Sequence, residues 1–115
     1  MPEQSDAAAE DAKLVTLARS ARVRLGAAEG AAVRDEMGRT YVAATVELSS
    51  LQLSAVQAAV AAAVSSGSQT LEAVAVVGPL EDLREADRAV LADVSVTTVL
   101  IADADGVRRA VDVGP

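Results

Sequence analysis

The run Leu51–Gly67, LQLSAVQAAVAAAVSSG, constrains the fold more than any other stretch of the chain. It is the longest apolar segment. It carries Ser54 and Gln57 three residues apart, the pattern of a capping box. Val56, Ala59, Val60, Ala63 and Val64 then recur at helical spacing, and Ser65-Ser66-Gly67 stops the run. Strand signals stand on both sides. The stretch is therefore expected to be the central helix of a small α/β domain. It is too short and too punctuated by serine to span a bilayer.

The rest of the chain reads around that helix. Met1–Ser5 is expected to be a disordered tail, and 6–115 a single domain. Asp6 is the expected N-cap of a first helix whose buried face is Leu14, Leu17, Ala18, Ala21 and Leu25, ended by Gly26. Arg19, Arg22 and Arg24 fall mostly off that face and read as solvated. Gly30–Arg34 and Thr40–Val46 predict a β-hairpin around Asp35–Gly38, where Gly38 can take a positive φ.

Beyond the central helix, Leu71–Val77 is nearly all apolar and predicts a strand covered on both faces. Gly78-Pro79 breaks it. Asp82 with Glu85 gives a second capping box, opening a helix to about Ala92 with Leu83, Ala86, Val90 and Leu91 on its buried side. Val96–Ile101 and Val107–Val113 predict two antiparallel strands around the short Asp103–Gly106 turn. The expected order is α-β-β-α-β-α-β-β, an α/β fold with a five-stranded mixed sheet and helices on its faces.

Composition removes several chemistries. The chain has no cysteine and no histidine. Disulfides, thiolate metal sites, cysteine nucleophiles and imidazole bases are therefore all absent, and any metal would need oxygen ligands alone. The net charge of −7, from 17 acidic and 10 basic residues, argues against a nucleic-acid partner. Tyr41 is the single aromatic residue, so there are no stacking platforms for bases. The start MPEQSDAAAED is acidic, without a basic segment ahead of an apolar one. That predicts no secretory signal, no membrane association and a cytoplasmic location.

Local motifs give little. Asp103-Ala104-Asp105-Gly106 has the look of a calcium loop, but the twelfth position falls on Gly114, where a bidentate glutamate is needed. Gly26, Gly30 and Gly38 do not form a phosphate loop. A serine nucleophile would have to be paired with Lys13, the only lysine, on a surface-type helix. The carboxylates Glu81, Asp82, Glu85 and Asp87 cluster in a helix first turn, where the helix dipole and solvent account for them.

From about Leu14 to Val113 the chain resembles the small free-nucleoside cytidine deaminases. GAAVRDEMGRTYVAATVE (Gly30 to Glu47) is similar to that family's V-G-A-A strand, turn, and second strand ending in N-x-E. LQLSAVQAAVAAAVSSG resembles its L-T-L-C-A-E helix. LREADRAVLAD (Leu83 to Asp93) resembles its P-C-x-x-C-R-Q-V-L helix. The closing strand-turn-strand resembles the antiparallel ending of the nucleoside enzymes.

The resemblance implies a zinc-bound water, and a glutamate to move protons. It places Ser54 at the first zinc-ligand position, Val56 at the glutamate, and Arg84 and Asp87 at the two remaining ligands, with Leu83 in place of the proline. A hydroxyl, a guanidinium and one carboxylate do not make a tight zinc site, and valine cannot shuttle a proton. Of the ribose-holding N-x-E, Glu47 remains and Thr45 replaces the asparagine, while the aromatic over the base falls near Ala27.

Arg84 and Asp87, three residues apart, can pair: either they form an ion pair near Ser54 in place of the metal, or they are plain surface charge and Ser54 is an N-cap. The resulting expectation is a protein without metal or cofactor, silent as a deaminase, and homo-oligomeric as a dimer or tetramer. It would act as an interaction or scaffold module. The alternative is a nucleoside or nucleotide binder with a reduced pocket around Thr45 and Glu47. Metal-independent chemistry at a perturbed carboxylate is a further, weaker alternative.

Overall fold

Small side chains on both faces of one apolar strand set the architecture. The computed structural model describes residues 2–112, with side chains for 8–107. Ten elements follow in order: α1 Pro2–Leu25, β1 Gly30–Asp35, β2 Thr40–Ala44, β3 Val46–Leu48, β4 Leu51–Leu53, α2 Ala55–Ser65, β5 Leu71–Val77, α3 Glu85–Asp93, β6 Thr98–Asp103 and β7 Gly106–Asp112. The main sheet has five strands in the order β2-β1-β5-β6-β7. Only the β5–β6 pair is parallel, so the sheet is mixed, as expected.

β5 lies at the centre with the bounds read from the sequence. Its alternate residues feed two cores. Val74 and Val76 face α2 and α3, packing with Val33, Val56, Val60, Leu91, Val99 and Ile101. Ala73, Ala75 and Val77 face α1, meeting Leu14, Val15 and Ala18. The result is three layers: α1, sheet, then α2 with α3. Alanine on the α1 side lets that helix settle close to the sheet.

Several details depart from the sequence reading. α1 begins at Pro2, ahead of the expected Asp6 cap, and so runs back through the segment read as a tail; Met1 lies outside the described residues. Proline suits a first helical position, and the following alanines favour helix. Within α1, Val15 is buried while Leu25, in the last turn, is largely exposed.

The second predicted strand ends at Ala44, and a two-stranded hairpin, β3–β4, follows that was not anticipated. Its turn is Ser49-Ser50, which lacks the Asn-Gly or Asp-Gly signal of a tight hairpin. The apolar run therefore starts as a strand, and its helix begins only after Ser54. There the capping box is complete: the Ser54 hydroxyl accepts from the Gln57 amide at 3.0 Å, and the Gln57 side chain accepts from the Ser54 amide at 2.9 Å. Val64, placed on the buried stripe from sequence, is half exposed.

The second expected capping box does not form. Asp82 accepts from the adjacent Leu83 amide at 2.8 Å, and the N-cap of α3 is Arg84, with no side-chain cap. Ala86 is exposed, and Asp87 takes the buried position beside Leu91. The last two strands run Thr98–Asp103 and Gly106–Asp112, each displaced from its expected bounds; Val113 lies outside the described residues. In the turn between them, the Asp105 amide donates to Asp103 Oδ1 at 2.8 Å, so this carboxylate serves the turn.

The β1–β2 turn is organised by Asp35, a residue with no solvent exposure. Its Oδ1 accepts from the amides of Met37 and Arg39, both at 2.9 Å, and its Oδ2 accepts from the Ser68 hydroxyl at 2.7 Å. Gly38 takes a φ of 85°, the conformation that lets the turn close. Burial alone raises the Asp35 pKa. The Ser68 hydroxyl, the Arg39 and Met37 amides and the Arg39 guanidinium outweigh it and hold the group at about 2, below its ordinary 3.8.

The stability this carboxylate contributes is thus present above the unfolded-state value and lost as pH falls through about 2. Acid titration of wild type and Asp35→Ala checks this. The wild type should shed stability between the two values, and the variant should show a flatter acid limb. Parallel curves would remove Asp35 from the acid response.

Candidate functional site

Three segments meet at one end of the fold: the residues before β1, the start of α2 and the start of α3. A cavity of about 640 Å³ opens there, lined by polar groups that include Glu29, Thr45, Glu47, Ser54, Gln57, Arg84 and Asp87. Five of the six positions singled out from the sequence (Thr45, Glu47, Ser54, Arg84 and Asp87) lie on this one wall. The sixth, Val56, has no solvent exposure and packs in the core between the sheet and α2.

The polar groups form one connected network. Ser54 Oγ donates to Asp87 Oδ1 at 2.6 Å while accepting from the Gln57 amide, so the cap of α2 is tied to α3. Arg84 Nη1 donates to Asp87 Oδ2 at 3.4 Å. The same nitrogen donates to Glu29 Oε1 at 3.1 Å, and Arg84 Nη2 donates to Glu29 Oε2. The guanidinium therefore holds Glu29 in a two-pronged contact and reaches Asp87 as well. Glu29 and Asp87 are buried at 4% and 1% exposure. The Arg84 side chain keeps 52% and looks into the cavity. The Glu29 hydrogen bond raises the Arg84 pKa; burial opposes this, and the charges of Glu29 and Asp87 add to the rise.

Local sequence explains the placement. Arg84 sits as an extended N-cap, φ −73° and ψ 156°, which aims its side chain back from α3 toward β1 instead of along the helix. Thr45 interrupts the second strand: its hydroxyl accepts from the Glu29 amide at 3.1 Å and donates to the Glu29 carbonyl at 3.3 Å. That exchange anchors the backbone of Glu29 and turns the chain toward β3. The Thr45 hydroxyl is thus already occupied by protein, whereas Glu47 on β3 is exposed at the rim.

Glu29 was missed in the sequence. The available signal was a lone acidic residue in the small, apolar segment GAAEGAAV, directly ahead of a strand. The solvated reading of the α3 first-turn carboxylates is also corrected for Asp87, which is buried and bonded at both oxygens.

These residues do not fit a zinc ion. Arg84 can donate but cannot coordinate, and its positive charge opposes a cation at the same place. The Ser54 hydroxyl is already donated to Asp87. Among the described residues, no group of three or more His, Cys, Asp or Glu is placed to hold a metal.

A three-layer α/β domain with a polar cavity at the N-termini of two helices on one sheet face defines the class of this protein. The profile of the cytidine deaminase-like family matches residues 7–106, and the chain belongs to that family. Solved structures agree in fold. The cytidine deaminase of Burkholderia pseudomallei is similar at a TM-score of 0.75 and 23% identity, over 87% of this chain and 90% of that one. That of Mycobacterium leprae is similar at 0.64 and 23%, over 84% and 89%. A point mutant of the Mycobacterium tuberculosis enzyme is similar at 0.55 and 31%, over 70% of each chain. Comparison with curated protein sequences returns no match. Among the described residues, no helix is long and apolar enough to cross a membrane.

Proposed function

We propose that this chain is a metal-free, non-catalytic member of the cytidine deaminase-like family, acting as a homo-oligomeric interaction or scaffold module. One observation carries the reading: the polar groups at the ligand positions that the resemblance implies are spent on one another. Ser54 is bonded to Asp87, Asp87 to Arg84, and Arg84 to Glu29. The position matching the proton-carrying glutamate is Val56, packed in the core. Association is favoured by the outward side of α2, where Ala61 and Val64 are exposed and small enough for another helix to approach closely. Cytidine and deoxycytidine incubated with the protein and added zinc should remain unconverted. Conversion above a metal-only control would defeat the reading.

The cavity supports a second reading, a small-molecule binder. Glu29, Glu47 and Asp87 outnumber Arg84 on its wall, so the lining carries net negative charge. An uncharged nucleoside is then favoured over a nucleotide. In thermal unfolding with both panels, a saturable rise confined to nucleosides supports the binder, and flat curves favour the scaffold.

A further inference from the structure

The carboxylates Glu29 and Asp87 are almost wholly removed from solvent, yet they belong to separate segments and converge on one guanidinium nitrogen. Buried carboxylates without a compensating cation destabilise a fold, and the usual compensations are a bound metal or a paired basic side chain. Resting on the metal-free reading above, we propose that Arg84 is a chain-borne cation that does the structural work of a site metal, binding the segment before β1 to the starts of α2 and α3.

The geometry suits a guanidinium and not a point charge. Its planar fork meets both oxygens of Glu29 and still reaches Asp87 Oδ2. Asp87 in turn accepts from Ser54, so the connected contacts extend from Arg84 to the α2 cap. Three elements are thereby clamped by a cation that cannot dissociate. A bound ion would be lost to a chelator; this one is fixed by the backbone of residue 84. The arrangement also gives the extended cap of α3 a purpose: a helical conformation at residue 84 would carry the side chain away from Glu29.

The test is thermal unfolding of the full chain as wild type, Arg84→Ala, Arg84→Lys and the triple variant Arg84→Met, Glu29→Gln, Asp87→Asn. Arg84→Ala should melt about 5–10 °C lower, a loss moderated by the half exposure of the side chain. Arg84→Lys should recover less than half of that loss. The triple variant, with no buried charge left unpaired, should recover most of it. Added zinc should leave the wild-type midpoint where it is.

Should Arg84→Ala melt with the wild type, the tie does not exist. Should the triple variant melt as low as Arg84→Ala, the loss reflects packing and not charge, and the proposal falls. If Arg84→Ala does not fold, the triple variant decides alone: a folded triple supports the proposal and an unfolded one overturns it. A saturable rise of the wild-type midpoint with zinc also overturns it. These readouts are independent of cytidine turnover, which bears on the non-catalytic reading alone.

Discussion

Val56→Glu, which places a carboxylate where the resemblance sets the family's glutamate, is expected to lower the melting temperature by about 15 °C or more, or to leave the chain unfolded. Val56 has no exposure and packs with the core between the sheet and α2. A carboxylate there meets apolar neighbours and is absent from the cavity wall. Keeping it ionised in such surroundings costs several pKa units, on the order of 4 kcal/mol at neutral pH. The longer side chain adds overpacking of about 1–3 kcal/mol. Together these approach the whole stability of a typical small domain, about 5–15 kcal/mol.

The variant carries its own internal check. Burial would raise the glutamate's folded pKa above its unfolded value. The penalty is then largest at high pH and relieved as pH falls toward the unfolded value. Melting of Val56→Glu should therefore be closer to that of wild type at pH 5 than at pH 8. Val56→Met, similar in bulk and uncharged, should lose far less. A Glu variant that melts with the wild type at pH 8 would mean the position reaches solvent and is not core. A glutamate at residue 56 would thus lie in the core and away from the cavity wall.

What the sequence disclosed depended on how local each signal was. The capping box of Ser54 and Gln57 is a contact between residues three apart, and it forms as read. β5 is buried on both faces, so a continuous apolar run marks its two ends. The β3–β4 hairpin was hidden because Leu51 and Leu53 also extend the apolar run of α2, and a Ser-Ser turn is not distinctive. The apparent cap at Asp82 misled because an aspartate can accept from its next amide as readily as from one three residues on.

The resemblance named positions that the fold brings to one cavity wall, but it did not disclose how they are wired. Ser54, Arg84 and Asp87 do meet, yet Glu29 lies 55 residues before Arg84, and no spacing rule connects them. Burial was equally opaque. The carboxylates of the α3 first turn look alike in sequence, but Glu85 is exposed and Asp87 is buried, because only the latter points at the α2 cap. The same holds for Asp35, which reads as an ordinary turn residue until Ser68 arrives from the far end of α2.

Gly30→Ala is expected to be the most damaging of the glycine-to-alanine changes among the described residues, at about 3 kcal/mol. A Cβ at residue 30 would lie 2.1 Å from the carbonyl oxygen of Ala18 and 2.8 Å from the amide nitrogen of Arg22. Both are backbone atoms of α1, so no rotamer change can clear them. Either α1 lifts from the sheet or β1 slides. Lifting α1 opens the core of Leu14, Val15 and Ala18 against Ala32, Ala73 and Ala75, which lies along the same helix. Sliding β1 breaks its pairing with both β2 and β5, because it sits between them.

Gly78→Ala provides the comparison. Its added Cβ would come 2.7 Å from Cγ of Glu29, a side-chain atom that can yield, and 3.1 Å from the Ala28 carbonyl. The cost should be smaller, about 1–2 kcal/mol, and should arise from pushing Glu29 off Arg84. Denaturant unfolding of both variants separates the two. A double variant of Gly78→Ala with Arg84→Ala should lose less than the sum of its parts, since both act on the Glu29 contact. Gly30→Ala with Arg84→Ala tells its two responses apart: lifting α1 leaves the losses additive, whereas sliding β1 shifts the adjoining Glu29 and makes them non-additive. Tolerance of alanine at residue 30 without loss of stability would mean that α1 does not rest on β1 as closely as the structure places it.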